Sequence, residues 1–337
     1  MMNERPAVEL IQQAAALALP SAALLLSEWL PDGRRVGSEW VSRNGVRGDR
    51  AAGSFGVNLD TGLWHDFADS SAHGGDLVSL LAYLLGCRQI EAAREIDQRL
   101  CLGLFDPAPP TPEQLARTRA AELAQQEARA KAKAAHEAKQ AAAAAQAAQY
   151  WKAARRASRE HPHLAGKGLA PYHLRQLPGG RLLVPMCLDG ALVNLQTILP
   201  DGQKRFLNGG RLKGCYSPIG VPKERQTVYV CEGWATGATL HEHTGAAIAC
   251  ALTAGNLLPV AQALRARFGE LINLVIAGDD DRQTLGNPGR SYANRAGLEV
   301  GALVVFPEWP PGAPESLSDF NDLHLWRAGK YRAEGER

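Results

Sequence analysis

Between Thr227 and Pro307, short apolar runs alternate with stretches of helical period, and this constrains the fold more than any other feature of the 337-residue chain. TVYVC, AAIACAL, LINLVIA and ALVVFP read as strands, and WATGATLHEHTG, LLPVAQALRARFG and SYANRAGLEVG as the helices between them. Strands separated by helices cannot pair as tight hairpins. The pattern therefore predicts an α/β fold, a mostly parallel sheet with helices on its faces. Ligands bind such sheets beyond the carboxyl ends of the strands.

Acidic residues collect at that end. Glu232 follows the first strand, Asp279, Asp280 and Asp281 follow the third, and Asp319 and Asp322 lie beyond the fourth. Carboxylates crowded together raise one another's pKa and destabilise a fold, whereas a hard divalent cation is held by carboxylate and phosphate oxygens. Metal binding answers the repulsion. Acidic residues at strand ends also cap the following helix, and for Asp280 and Asp281 that role stays open. Gly233, beside Glu232, leaves room for a backbone or phosphate to approach.

Upstream, RLLVPMCL and ALVNLQTIL, joined at Asp189-Gly190, predict a β-hairpin. The segment GQKRFLNGGRLKGCYSPIG then sets Lys204, Arg205, Asn208, Arg211 and Lys213 among glycines. Basic side chains on such a backbone suit phosphate contact, although a solvated loop has the same composition.

The chain is divided by residues 111–150, where Ala, Gln, Glu, Lys and Arg dominate and Gly, Val, Ile and Phe are absent. A capping box from Thr111 to Gln114, with Pro112 at the first helical position, predicts a helix start. At ~1.5 Å per residue the helix would be about 60 Å long, a solvated spacer or a partner-binding coiled coil. Before it lie SEWVSRNGVRGD and GSFGVNLDTGLWHDFAD, read as a strand and a strand pair turning at Asp60-Thr61-Gly62, and DLVSLLAYLLG, read as a helix.

With 37 basic and 35 acidic residues, net charge neither demands nor excludes nucleic acid. The six cysteines form no C-x-x-C pair, so neither a zinc ribbon nor a disulfide framework is signalled. The apolar amino-terminal run is expected to be neither a signal peptide nor a membrane span, because Glu4 and Glu9 spoil a basic n-region and Pro20 divides it. A cytoplasmic protein is expected.

The array VYVCEGWATGATL, ALTAGNL, VIAGDDDR and SDFNDL resembles the Toprim domain of bacterial-type, DnaG-like DNA primases, in the versions encoded by plasmids and phages. The resemblance implies that Glu232 assists acid/base chemistry or holds metal, and that Asp279 and Asp281 bind Mg²⁺ or Mn²⁺. Asp319 and Asp322 match a further acidic motif of the same site, and Asp280, the variable middle position, should matter least. The KRFLN segment is similar to the basic segment of the primase core, which assigns Lys204, Arg205, Asn208, Arg211, Lys213 and Gly233 to nucleotide or template. The first hundred residues follow the layout of the primase zinc-ribbon module without its cysteine ligands. His65 and His73 therefore have no cysteine partners, and no zinc is expected. Trp40, Arg43, Arg47, Arg50 and Trp64 become candidates for single-stranded DNA contact, with core packing the alternative for both tryptophans.

The implied organisation is a metal-free zinc-ribbon-like domain over 1–106, a helical linker over 107–160, a basic subdomain over 161–225 and a Toprim catalytic domain over 226–337. The implied activity is RNA primer synthesis on single-stranded DNA from ribonucleoside triphosphates, with no membrane involved. The sequence contains no G-x-x-x-x-G-K-[ST] motif, so a replicative helicase would be a separate partner. A metal-dependent Toprim nuclease and a non-catalytic single-stranded-DNA adaptor are the alternatives.

Overall fold

The computed structural model describes residues 6–106 and 111–331 and divides into two compact units, 1–135 and 136–337. The expected boundary at 106–107 and the first four linker residues lie outside the described residues.

In the first unit, helices α1 (Ala7–Ala18) and α2 (Ala22–Trp29) are joined by one 3₁₀ turn at Leu19–Ser21. Pro20 marks the break between the two helices, as expected. It sits in the first turn of the 3₁₀ segment, where its missing N–H breaks no helical bond. Taken together with the turn between them, Ala7–Trp29 is long and apolar enough, by length and composition alone, to cross a membrane. Its inward side, with Leu25 and Leu26 fully buried, packs into the core of this unit.

Five short strands follow, β1 (Arg34–Val36), β2 (Glu39–Ser42), β3 (Phe55–Asn58), β4 (Trp64–Asp66) and β5 (Asp69–Gly74), in an antiparallel sheet of sequential order. The turn between β3 and β4 is held by Asn58, whose Oδ1 accepts from the N–H groups of Asp60 and Thr61. Phe55 and Trp64 of the sheet cluster with Tyr83 of α3 (Leu77–Leu85), in a core that α4 (Gln89–Leu100) shares.

Helix α5 (Pro112–Ala153) starts with the expected capping box, Gln114 N–H donating to Thr111 Oγ1 and Thr111 N–H to Gln114 Oε1. The division between units falls within this helix. Its carboxyl end is no solvated spacer, because Ala147 packs with Leu183 and Leu195. The helix ends where the Arg175 guanidinium lies 4.7 Å from the Trp151 ring centroid and donates to the Trp151 carbonyl.

The second unit holds two sheets. The first runs β10 (Lys204–Phe206), β9 (Ala191–Ile198), β8 (Arg181–Leu188), β7 (Arg175–Leu177), β6 (Arg155–Arg156), all antiparallel, with the short helix α6 (Pro162–Lys167) between β6 and β7 in sequence. The β8–β9 hairpin turns at Asp189 (φ 50°) and Gly190 (φ 86°), both left-handed as a two-residue primed turn requires.

The second sheet is the predicted α/β core, in the order β11 (Ser217–Ile219), β13 (Ala247–Cys250), β12 (Thr227–Cys231), β14 (Asn273–Ala277), β15 (Leu303–Val305). Only β11 is antiparallel to its neighbour. Val228 and Val230 pack with helices α8 (Leu257–Phe268) and α9 (Pro288–Val300), while Cys231 faces α7 (Trp234–Thr244) and, with it, α10 (Phe320–Arg327). α7 lies close on the sheet because Gly237 has no Cβ, which would come within 2.3 Å of Cys250 Sγ.

Candidate active site at the carboxyl edge of the parallel sheet

Cys231 pairs in register with Ala277, and Ala277 with Val305, so three parallel strands end level. Glu232, Asp279 and Asp281 follow two of those ends. Asp319 arrives differently, at the amino end of α10, fourteen residues past β15. Asp280 N–H donates to the Ser318 carbonyl at 2.7 Å, and Arg282 donates to the carbonyls of Pro314 and Leu317, tying the returning loop to the Asp-Asp-Asp segment.

The carboxylates so gathered repel one another. Burial first, then Asp319, Glu232 and Asp281, push Asp279 up to about 9, against the opposing charge of Lys204. Glu232 is raised by burial and by Asp281, again with Lys204 opposing. Asp319 is raised by burial and by Asp322, and Lys167 and Lys204 work against that shift. Asp279 Oδ1 is buried without a hydrogen-bond partner. An orphaned carboxylate oxygen among like charges fits a hard divalent cation, which would reverse the pKa shifts. Among the described residues, no three His, Cys, Asp or Glu side chains converge closely enough to hold a metal ion as they stand. The fit therefore rests on the charge distribution and the unpartnered oxygen.

The other acidic residues have defined partners. Asp281 Oδ2 accepts from the Gly289 N–H at the start of α9, so it caps that helix as well as facing the cluster. Asp322 donates its N–H to Asp319 Oδ1, while its carboxylate accepts from Ser318 N–H and Lys167 Nζ. The structure thus gives Asp322 a role in positioning Asp319. Asp280, the residue expected to matter least, has partners of its own. It is buried, accepts from Asn287 Nδ2, Arg290 Nη1 and Trp309 Nε1, and forms the hub of the loop. Three donors converge on it because the middle residue of the run turns away from its two neighbours and inward.

The basic segment meets this edge through Lys204, which lies in β10 and acts electrostatically on Glu232, Asp279 and Asp319. Arg205 is exposed and hydrogen-bonds Gln203; Asn208, Arg211 and Lys213 are exposed along the loop. Asn256, buried after β13, holds the loop in place. Its side chain accepts from Gly214 N–H and donates to the carbonyls of Cys215 and Ala251. Gly233 has φ −85°, and a Cβ there would meet only Thr236 Oγ1, at 3.5 Å. Among the described residues nothing demands glycine at that position, which leaves the space above the α7 amino terminus open.

The amino-terminal candidates fare differently. Trp64 is buried with its indole donating to Ser79 Oγ, and half-buried Trp40 donates to the Leu30 carbonyl, so both are core residues. Arg43 pairs with Asp32, and Arg47 with Asp49 and Asp66. Arg50 is exposed. His65 and His73 are cross-strand neighbours, and the His65 ring meets the edge of Phe67 at 4.1 Å. Phe67, 79% exposed on the β4–β5 turn, is an aromatic that the sequence reading missed.

Residues 227–329 match the family model described as Toprim domain, a span that holds the entire acidic edge. This segment is similar to Toprim domains. The chain is also similar to two proteins named DNA primase TraC from Escherichia coli, 39% identical over 161 residues and 34% over 160. Those alignments take in 45% and 44% of this chain but only 15% and 11% of the relatives, so the chain spans a small part of their length. The resemblance to DnaG-like Toprim primases seen in the motifs holds. Solved structures show a weaker likeness. The primase fragment of the bacteriophage T7 primase-helicase protein gives a TM-score of 0.37 at 14% identity over 50% of this chain and 69% of its own. The Aquifex aeolicus primase, with its zinc-binding and RNA polymerase domains, gives 0.37 at 14% identity over 97% of this chain and 83% of its own. In this segment, Asn256, Asn287, Gly289, Arg282 and Trp309 shape the site without belonging to the acidic pattern. Asn256, within ALTAGNL, and Arg282, within VIAGDDDR, lay in motifs that the sequence singles out; Asn287, Gly289 and Trp309 did not.

Proposed function

We propose that the chain is a DNA primase that makes short RNA primers on single-stranded DNA by nucleotidyl transfer in plasmid- or phage-type replication. The observation that carries the reading is the unpartnered, strongly raised Asp279 carboxyl, facing Glu232, Asp281 and Asp319 within the Toprim domain. Asp279, Glu232, Asp281 and Asp319 would hold Mg²⁺ or Mn²⁺. A divalent cation bound there supplies the charge that acidifies the attacking 3′-hydroxyl and offsets the developing charge on the transferred phosphoryl group.

The chain's own residues do the positioning. Lys204 brings a positive charge to the edge, where it favours the ionised carboxylates and attracts nucleotide phosphates. Arg205, Asn208, Arg211 and Lys213 extend that charge and hydrogen-bonding capacity along an exposed strand and loop, suited to triphosphate or template backbone. The open space at Gly233 admits a phosphate to the uncapped amino end of α7. We assign 1–106 to template binding, 107–160 to a linker, 161–225 to the basic subdomain and 226–337 to catalysis. With Trp40, Trp64, Arg43 and Arg47 engaged internally, Arg50 and Phe67 remain as candidate template contacts in the first unit. A separate helicase and a cytoplasmic setting belong to the same reading.

The test is template-dependent incorporation of labelled ribonucleotides on single-stranded DNA with Mg²⁺ or Mn²⁺. Asp279→Ala and Asp281→Ala should each abolish primer formation, by 100-fold or more on the scale of lost charge stabilisation, with the circular dichroism spectrum intact. Near wild-type synthesis by either variant sinks the assignment. Cutting of labelled DNA without nucleotides would favour the nuclease, and failure to bind either cation would favour the adaptor.

A further inference from the structure

A second concavity, of about 570 Å³, opens between α7 and α10, and neither Glu232, Asp279, Asp281 nor Asp319 lines it. Its wall is apolar, formed by Leu240, Phe306, Phe320 and Leu323, and its rim carries His243, His324 and Arg327. That size is in the range of small-molecule sites, and a mostly apolar lining with a few convergent polar groups is their usual chemistry. We propose that this pocket binds a small aromatic anion, its ring against Phe306 and Phe320 and its charge against His243, His324 and Arg327.

The histidine pair points to the charge of the ligand. Nε2 of His243 and Nδ1 of His324 are 2.9 Å apart, a contact that needs one proton between the two nitrogens. The ring that accepts this bond carries its own proton on its other nitrogen, an N–H available to an anion seated beside the pair. Burial and His243 hold His324 below its ordinary value, with Glu242 opposing and Lys330 adding to the shift. The charged and titratable groups facing the pair are thus Glu242 from α7, Arg327 and Lys330 from the end of α10, and Glu308 from the segment after β15. Arg327 is turned toward this mouth by the hydrogen bond from its Nη2 to the Glu308 carbonyl.

The walls also tie the pocket to the acidic edge. Phe306 carries the Arg290 guanidinium 4.1 Å from its ring centroid, and Arg290 pairs with Asp280, the hub of the acidic loop. Phe320 directly follows Asp319. A ligand here would touch two side chains that support the carboxylates without meeting the carboxylates themselves.

The experiment is a fluorescence titration of the full chain with 8-anilinonaphthalene-1-sulfonate, without nucleotide, template or metal, so its outcome is independent of the primase reading. One saturable site is expected. His324→Ala and Arg327→Ala should weaken it about tenfold, a factor that corresponds to about 1.4 kcal/mol. Ala328→Trp, an exposed rim position, should block the site with circular dichroism unchanged. The neutral analogue N-phenyl-1-naphthylamine should bind at least tenfold more weakly. Variants that bind like wild type, non-saturable uptake, or equal affinity for the neutral analogue would each overturn the proposal.

Discussion

At the residue scale, the three consecutive aspartates divide by environment. Asp279 keeps a buried oxygen without a partner, Asp281 caps α9 while facing the cluster, and Asp280 turns inward to Arg290, Trp309 and Asn287. Asp280→Ala would leave two donors and a cation unpaired. It should lower stability by about 2–3 kcal/mol, measured by urea unfolding, and reduce synthesis by displacing the loop. A fully active, equally stable variant would refute the hub. Asp279 gives the opposite effect on stability. Its carboxyl titrates near 9 in the folded chain against an ordinary 3.8, so the folded state holds a proton that the unfolded chain has released. Stability from the protonated form is complete below about pH 4 and is lost as pH rises through about 9. Asp279→Asn should therefore be inactive, yet more stable than wild type in chelator at pH 8, by on the order of 1 kcal/mol. Thermal melts across pH 5–9 would show the difference growing with pH; a constant difference would contradict it. The positions of Glu232, Asp279 and Asp281 were legible because strand ends can be read from periodicity. The inward turn of Asp280 was not, since it depends on Trp309 and Arg290 arriving from elsewhere in the fold.

At the scale of elements, the strands and helices of the parallel sheet follow the apolar pattern closely, and the departures have local causes. The α9 pattern reads from Ser291, yet the helix begins at Pro288, because Asn287 in left-handed conformation caps it and proline suits the first turn. Asn-Pro-Gly reads as a turn, and here it is a helix start. Gly289 matters there for its missing side chain. A Cβ would stand 2.5 Å from the Asp279 carbonyl oxygen and 2.9 Å from Asp281 Oδ2. Gly289→Ala must push the Asp-x-Asp backbone or the helix apart, at a cost of about 1–3 kcal/mol. Primer synthesis should fall by at least tenfold while nucleotide-independent binding of single-stranded DNA stays near wild type; unchanged synthesis would show that the helix can yield without moving the acids. In the first unit β2, β3, β4 and α3 were legible, whereas β1, β5, α4 and the side-chain roles were not. Trp64 and Arg47 look like a stacking residue and a free cation in sequence, and only the fold reveals Ser79, Asp49 and Asp66 as their partners.

At the scale of the whole molecule, the two units have separate hydrophobic cores. Leu25, Phe55, Leu80 and Ile96 belong to one, whereas Leu182, Val230, Ile248 and Leu264 belong to clusters of the other. The sequence placed a boundary near the start of α5, where the composition changes; the contacts divide within the helix, because its last turns pack on β8 and β9. Helix propensity is uniform along that segment, so the change from solvated to packed alanine leaves little trace in sequence. Separate cores imply separate cooperative transitions, since burial lost in one does not expose the other. Calorimetry should resolve two. Leu80→Ala, which opens a cavity in the first core, should lower one transition by about 2–5 kcal/mol and leave the other in place. Leu264→Ala should do the reverse. If Asp279 and its neighbours hold a divalent cation, Mn²⁺ in excess should raise only the transition that Leu264→Ala lowers, and Asp279→Asn should remove that rise, because binding to the folded state alone stabilises the unit that contains the site. A single transition moved equally by both core variants would show that α5 couples the units into one cooperative body.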